Sequence, residues 1–165
     1  MRIGMKTFHL VPIGLLLGLS VWAAVNTDGQ ERRLTPTELT ALPSAGPGAG
    51  TSGVGGIRTT VLSGDPTREG LYTVRLSVPA NAAIAAHTHR DHRVATVISG
   101  VWYFGYGSRA DSASVKELPA GSFYAEPADV PHFAETRSAP VVVHITGYGP
   151  TNTNYVDAAA DPRRP

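Results

Sequence analysis

Along residues 71–78, LYTVRLSV, apolar and polar positions alternate. Tyr72, Val74, Leu76 and Val78 share one face against Leu71, Thr73, Arg75 and Ser77. A period of two predicts a strand with the first set turned to a core. IRTTVL (57–62) alternates more loosely but is rich in β-branched residues, and SGDPTREG (63–70) reads as the turn or loop between the two. After a turn at PAN (79–81), AAIAAHTH (82–89) predicts a short strand. VATVIS (94–99) is apolar on both faces, which leaves its parity open. Gly100 marks a tight turn into the aromatic strand VWYFGYG (101–107). A polar loop, RADSAS (109–114), precedes VKELPAG (115–121) and SFYAEP (122–127), and VVVHITGY (141–148) closes the series. About eight short strands divided by Gly and Pro turns, with no long amphipathic helix, predict a single all-β barrel or jelly roll over residues 57–150.

The flanks read differently. Arg2 and Lys6 precede an apolar run from Leu10 to Val25, and Val21 and Ala23 have the small-residue spacing of a signal-peptidase site. Residues 1–23 are therefore expected to be a signal peptide, and the protein to be exported to a periplasmic or secreted location with no stable membrane span after cleavage. Removing them takes away Arg2 and Lys6 and no acid, which moves the formal net charge from +1 to −1. Residues 24–56 are expected to be a flexible linker. LTPTELTALP (34–43) holds at most a helical turn capped by Thr35 before Pro36. SAGPGAGTSGVGG (44–56) contains six glycines and nothing large enough to anchor it. Residues 151–165 form a polar C-terminal tail in which Tyr155 and Val156 can add to a sheet edge.

Composition narrows the chemistry. A hydrophobic content of 42% in 165 residues suffices for one core. With a net charge of +1 and no basic run, nucleic acid is not the expected partner. There is no cysteine. That excludes disulfides, thiolate metal sites and cysteine nucleophiles, so any metal must be held by nitrogen and oxygen.

Three of the six histidines fall in HTHRDH (87–92). His87 and His89 are one residue apart, so on an extended strand both imidazoles project from one face. Two such imidazoles can bind a divalent transition metal when the fold brings further ligands. The best-placed third ligand is His132, in GSFYAEPADVPHFAET (121–136). His92 and His144 are candidates for an additional ligand. His92 competes with a reading as a solvated loop residue, and His144, in VVVHI, with one as a core histidine. Arg93 suits recognition of a substrate carboxylate or phosphate beside the metal, or a salt bridge with Asp91 or Glu126. Glu126 suits a replacement carboxylate ligand, a general base or a rim residue. Of Trp102, Tyr103, Phe104, Tyr106, Phe123, Tyr124 and Phe133, alternation lets about half line a pocket.

These two segments resemble the paired motifs of the cupin superfamily. In G-x5-H-x-H-x3,4-E-x6-G, Asn81 stands for the first Gly, His87 and His89 match, Arg93 stands for the Glu, and Gly100 matches. In G-x5-P-x-G-x2-H-x3-N, Gly121, Pro127 and His132 match, Asp129 stands for the second Gly and Thr136 for the Asn. The first and third substitutions fall at turns, where Asn and Asp best tolerate a left-handed backbone. Arg93 is different, because a guanidinium has no lone pair for a metal. The wording around both motifs is also similar to that of a narrower group, small exported single-domain bacterial cupins of uncharacterised function. The resemblance implies a cupin jelly-roll barrel with a three-histidine pocket, and a homodimer, which is common in that superfamily.

Two functions follow as expectations. One is a metal-dependent enzyme acting on a small-molecule ligand as an oxygenase, isomerase or lyase, with Fe, Mn, Zn or Ni bound by His87, His89 and His132. The other is a non-catalytic exported sensor, scavenger or ligand carrier on the same barrel.

Overall fold

A computed structural model describes residues 31–164. The expected signal peptide, residues 1–23, lies outside the described residues. Among those described, no helix is long and apolar enough to cross a membrane.

The described residues open with one short helix, α1 (Pro36–Ala41). Thr35 caps it by a capping box: its hydroxyl accepts from the Glu38 N–H while the Glu38 carboxylate accepts from the Thr35 N–H. Apart from a 3-10 turn at Ala158–Ala160, the other regular elements among the described residues are strands: β1 (Arg58–Ser63), β2 (Gly70–Val78), β3 (Ala83–Thr88), β4 (Arg93–Ser99), β5 (Val101–Tyr106), β6 (Lys116–Pro119), β7 (Phe123–Glu126), β8 (His132–Glu135), β9 (Val141–Gly149) and the two-residue β10 (Asn154–Tyr155). They form two five-stranded antiparallel sheets, ordered β1-β2-β9-β4-β7 and β10-β3-β8-β5-β6. The sheets face each other as a jelly roll, which confirms the all-β expectation.

The core lies between them. Tyr72, Val74, Leu76 and Val78 are all buried, as the alternation of β2 requires. Val141, Val143 and Ile145 from the neighbouring β9 meet them, and Trp102, Phe104 and Ile84 close the core from the other sheet. The parity of β4, open in the sequence, is set by Arg93, Ala95 and Val97, which all point inward. Asn81 and Asp129 adopt φ values of 58° and 59°, the left-handed backbone expected where they stand for glycines.

Both flanks take part in the fold. Residues 44–56 have the composition of a linker yet lie against the barrel mouth. Ala45 bridges to Thr59, and Thr51 and Ser52 are buried. The polar segment after residue 150 supplies the edge strand β10, which pairs Asn154 with Thr88 and Tyr155 with His87.

Candidate metal centre

His87 sits near the end of β3, His89 just beyond it, and His132 begins β8 directly opposite His87 in the register. The x-H-x-H alternation and this pairing bring three buried imidazoles together, with ring centroids 4.5–5.1 Å apart. One nitrogen from each lies within 4.8 Å of the others.

Each imidazole is oriented by the backbone. His87 Nδ1 donates to the Ala85 carbonyl at 2.7 Å, His89 Nδ1 to Asn152 at 2.5 Å, and His132 Nδ1 to Val130 at 3.1 Å. A carbonyl only accepts, so these bonds place the proton on Nδ1 and leave Nε2 with a free lone pair. The Nε2 atoms of His89 and His132 are buried with no hydrogen-bond partner. A buried acceptor without a partner is costly. Two such nitrogens, beside a third imidazole likewise backed by a carbonyl, are what a metal-ligating histidine set requires. Burial lowers the pKa of all three. His87 is pushed down to about 4, by burial first and the neighbouring His132 second. The imidazoles are thus neutral and ready to ligate at ordinary pH.

Arg93 and Glu126 face each other across the β4–β7 pair, and both point into the barrel. Arg93 Nε donates to Glu126 Oε2 at 2.6 Å, and Nη2 contacts the same oxygen. Nη1 donates to the carbonyl of Gly50 at 2.8 Å. Burial pushes the Glu126 carboxyl up, but the charge of Arg93 and its hydrogen bond outweigh burial and hold it below the ordinary range. Glu126 also approaches the histidines: Oε1 is 3.9 Å from His132 Nε2, and Oε2 is 3.9 Å from His89 Nε2.

The other sequence candidates lie elsewhere. His92 is exposed, one residue out of phase with the inward Arg93. His144 lies between the inward Val143 and Ile145 and therefore faces the outer side of the sheet, opposite Thr96 and Arg75. Neither reaches the three-histidine cluster. Among the aromatics, Trp102, Phe104 and Tyr124 line the cavity. Tyr103 turns outward under Arg137, and Phe123 is exposed. Phe133 is buried on the outer side against Gly105, where a Cβ would meet its ring at 2.5 Å. Tyr106 stands at the mouth and donates its hydroxyl to the Ala125 carbonyl.

Sequence reasoning missed three supports, the Gly50 and Asn152 carbonyls and Thr151; Tyr155, expected at a sheet edge, lies there and donates its hydroxyl to Ser52 O at 2.6 Å. A backbone carbonyl leaves no mark in a sequence. Tyr155 did carry a signal, as an aromatic residue isolated in a polar tail. The cavity beside the histidines measures about 30 Å³, and Gly50 and Ser52 form part of its wall. That is room for roughly two waters.

No protein-family model matches the chain, and no curated protein matches it. Solved structures do. The polyketide cyclase RemF from Streptomyces resistomycificus aligns with a TM-score of 0.65 at 15% identity, over 81% of this chain and 90% of that one. An RmlC-like cupin from Shewanella frigidimarina aligns with a TM-score of 0.52 at 18% identity, over 72% and 91%. A structure of the DMSP lyases RdDddP and RnDddQII aligns at 0.48 and 20% identity, where the match spans 47% of that chain. The protein thus has the cupin fold, and its barrel holds a buried His87–His89–His132 cluster suited to a metal ion.

Proposed function

We propose that this protein is a metal-dependent enzyme acting on a small anionic or chelating molecule, with His87, His89 and His132 holding the metal. The observation that carries this reading is the convergence of three buried imidazoles whose Nδ1 protons are all committed to backbone carbonyls. A nitrogen and oxygen donor set fits Fe, Mn, Zn or Ni. When bound, the ion supplies Lewis acidity and open positions for a substrate. The chain's own residues do the rest. Arg93 keeps Glu126 ionised inside the barrel, so that a negative carboxylate stands beside the imidazoles. Phe104 and Tyr124 keep that carboxylate in an apolar setting. Export and homodimerisation belong to the same proposal. Leu71 and Tyr148, an exposed cross-strand pair 66% and 58% accessible, support self-association.

A second reading, a non-catalytic metal- or ligand-binding module, is favoured by the small cavity and by Arg93, whose guanidinium is already engaged by Glu126 and Gly50. Elemental analysis of the mature protein beside a His87→Ala/His132→Ala variant tests the shared premise. About one equivalent of a single metal, lost in the variant, is expected. Absence of metal from the wild type after reconstitution would remove both the enzyme and the metal-module readings. A screen of the loaded protein against diketone and catechol-like anions, with oxygen uptake followed in parallel, then separates catalysis from binding.

A further inference from the structure

We propose that Glu126 is the fourth ligand of the metal centre, supplied from β7 in place of a carboxylate at position 93, with Arg93 as its positioning residue. The inference rests on the metal reading of the three histidines and adds a ligand from another strand.

The Nε2 atoms of His89 and His132 are acceptors without partners. The Glu126 carboxylate faces both, with Oε2 3.9 Å from His89 Nε2 and Oε1 3.9 Å from His132 Nε2. Those oxygens are acceptors too. Oε2 already takes protons from Arg93, but Oε1 faces His132 Nε2 with no donor between them, in a site walled by Phe104 and Tyr124, and two such lone pairs repel unless a cation lies between them. The spacing admits one. Metal bonds to imidazole nitrogen and carboxylate oxygen are about 2.1 Å, so two atoms on one ion stand at most about 4.2 Å apart. Each 3.9 Å separation, from a different carboxylate oxygen to a different histidine, falls within that reach; Glu126 stands just outside the tight group of the three nitrogens, so a small movement of its side chain toward them completes the set.

The sheet register explains how the carboxylate comes to be there. Positions 93 and 126 are direct cross-strand partners. Both side chains are inward, 3% and 4% exposed. An acid at either position points into the same cavity. With Arg at 93, the acid belongs at 126, and the guanidinium fixes it from behind through Nε and Nη2. The pairing has an electrostatic consequence. The carboxylate adds one negative charge to the ligand set and Arg93 returns one positive charge beside it. A divalent centre therefore keeps a local charge of about +2. The pocket has four protein ligands and the positive field of a site with only three neutral ones. Its substrate class is then anionic, drawn by the centre as a whole and not by a free guanidinium.

Titration with Co(II), read by calorimetry and by its visible absorption, tests this. Three variants are compared with wild type: Glu126→Gln, Arg93→Met/Glu126→Gln, and the exchange Arg93→Glu/Glu126→Arg. The double Met/Gln variant removes both charges, so it leaves no unpaired ion in the core if Glu126→Gln alone fails to fold. Loss of the carboxylate is expected to weaken Co(II) binding at least roughly 10–100-fold and to alter the absorption bands, since even indirect support of a ligand has that effect. The exchange returns an acid to the cavity and is expected to recover wild-type bands. Co(II) binding by Arg93→Met/Glu126→Gln within twofold of wild type, with the same spectrum, overturns the fourth ligand and leaves the three histidines standing. No Co(II) uptake by the wild type overturns both.

Discussion

Asn81 and Asp129 hold nearly the same left-handed backbone, at φ 58° and 59°, one before each half of the histidine cluster. The Asn81 N–H donates to Arg137 O, and the Asp129 N–H donates to His89 O. Each turn therefore needs both the unusual φ and a free N–H. Replacement by Ala is expected to cost about 1–2 kcal/mol at either site, and replacement by Gly much less. Urea unfolding of the four variants checks this. Equal losses for Ala and Gly would show that the side chains and not the backbone matter.

Buried Asp91 is held by two hydroxyls, Tyr72 at 2.7 Å and Thr151 at 2.6 Å. Tyr72→Phe removes one donor and is expected to cost about 1–3 kcal/mol. Gly147→Ala is expected to cost more, because its Cβ would lie 2.6 Å from both Asp91 Oδ2 and the Tyr72 hydroxyl. Denaturant midpoints rank the two; a neutral Gly147→Ala would contradict the packing described.

Acid should weaken the metal-free protein through its histidines. The folded pKa of His87 is pushed down to about 4, from the ordinary 6.5 of the unfolded chain. Between those values the unfolded state binds more protons, so stability falls as pH drops from 6.5 toward 4 and is unaffected by His87 above 6.5. The loss from His87 alone is on the order of 3 kcal/mol. His89 and His132, also lowered, act in the same direction. Melting temperature against pH, compared with His87→Gln, measures the difference in slope. Parallel curves for the two proteins would refute it.

Gly50 closes the mouth, and a larger residue should pry it open. At φ +68° its Cβ would meet Thr151 Cγ2 at 2.5 Å and Arg93 Nη1 at 3.0 Å. In a Trp22→Phe background Trp102, which lines the cavity, is the sole tryptophan. Gly50→Val is expected to raise acrylamide quenching of its fluorescence severalfold. Gly48→Ala, whose Cβ meets nothing within 4 Å, should leave it unchanged.

Much of the barrel was legible because alternation is a direct imprint of a two-faced strand. β2 showed this best, with Tyr72, Val74, Leu76 and Val78 all inward. The left-handed turns were legible because few residues tolerate that backbone. The histidine cluster was legible from spacing, since His87 and His89 share a face and the second motif fixes His132. β4 was not, because an apolar run has no parity of its own. Its phase is decided by Arg93 finding Glu126 inside the barrel. His144 could not be placed either, since its orientation follows from whether Val143 or Val142 turns inward. The docking of residues 44–56 is carried by carbonyls and small side chains, which composition alone reads as free chain.

A chain trimmed to residues 57–150 keeps all three histidines but loses the Asn152 carbonyl behind His89 and the Gly50 carbonyl behind Arg93. Its Co(II) affinity is expected to fall roughly 10–100-fold. Calorimetry against residues 31–164 decides; equal affinity would mean that the flanks are dispensable to the site.

The hydrogen bond from His89 to Asn152 spans 63 residues of sequence. It also imposes an order in time. While the chain is being made, His87 and His89 emerge well before the carbonyl that sets the His89 tautomer, and His132 follows in between. A partly made chain can offer imidazoles to a metal, but not in the protonation pattern and orientation of the finished site. The full ligand geometry of the cluster therefore exists only after residue 152 has been synthesised and seated.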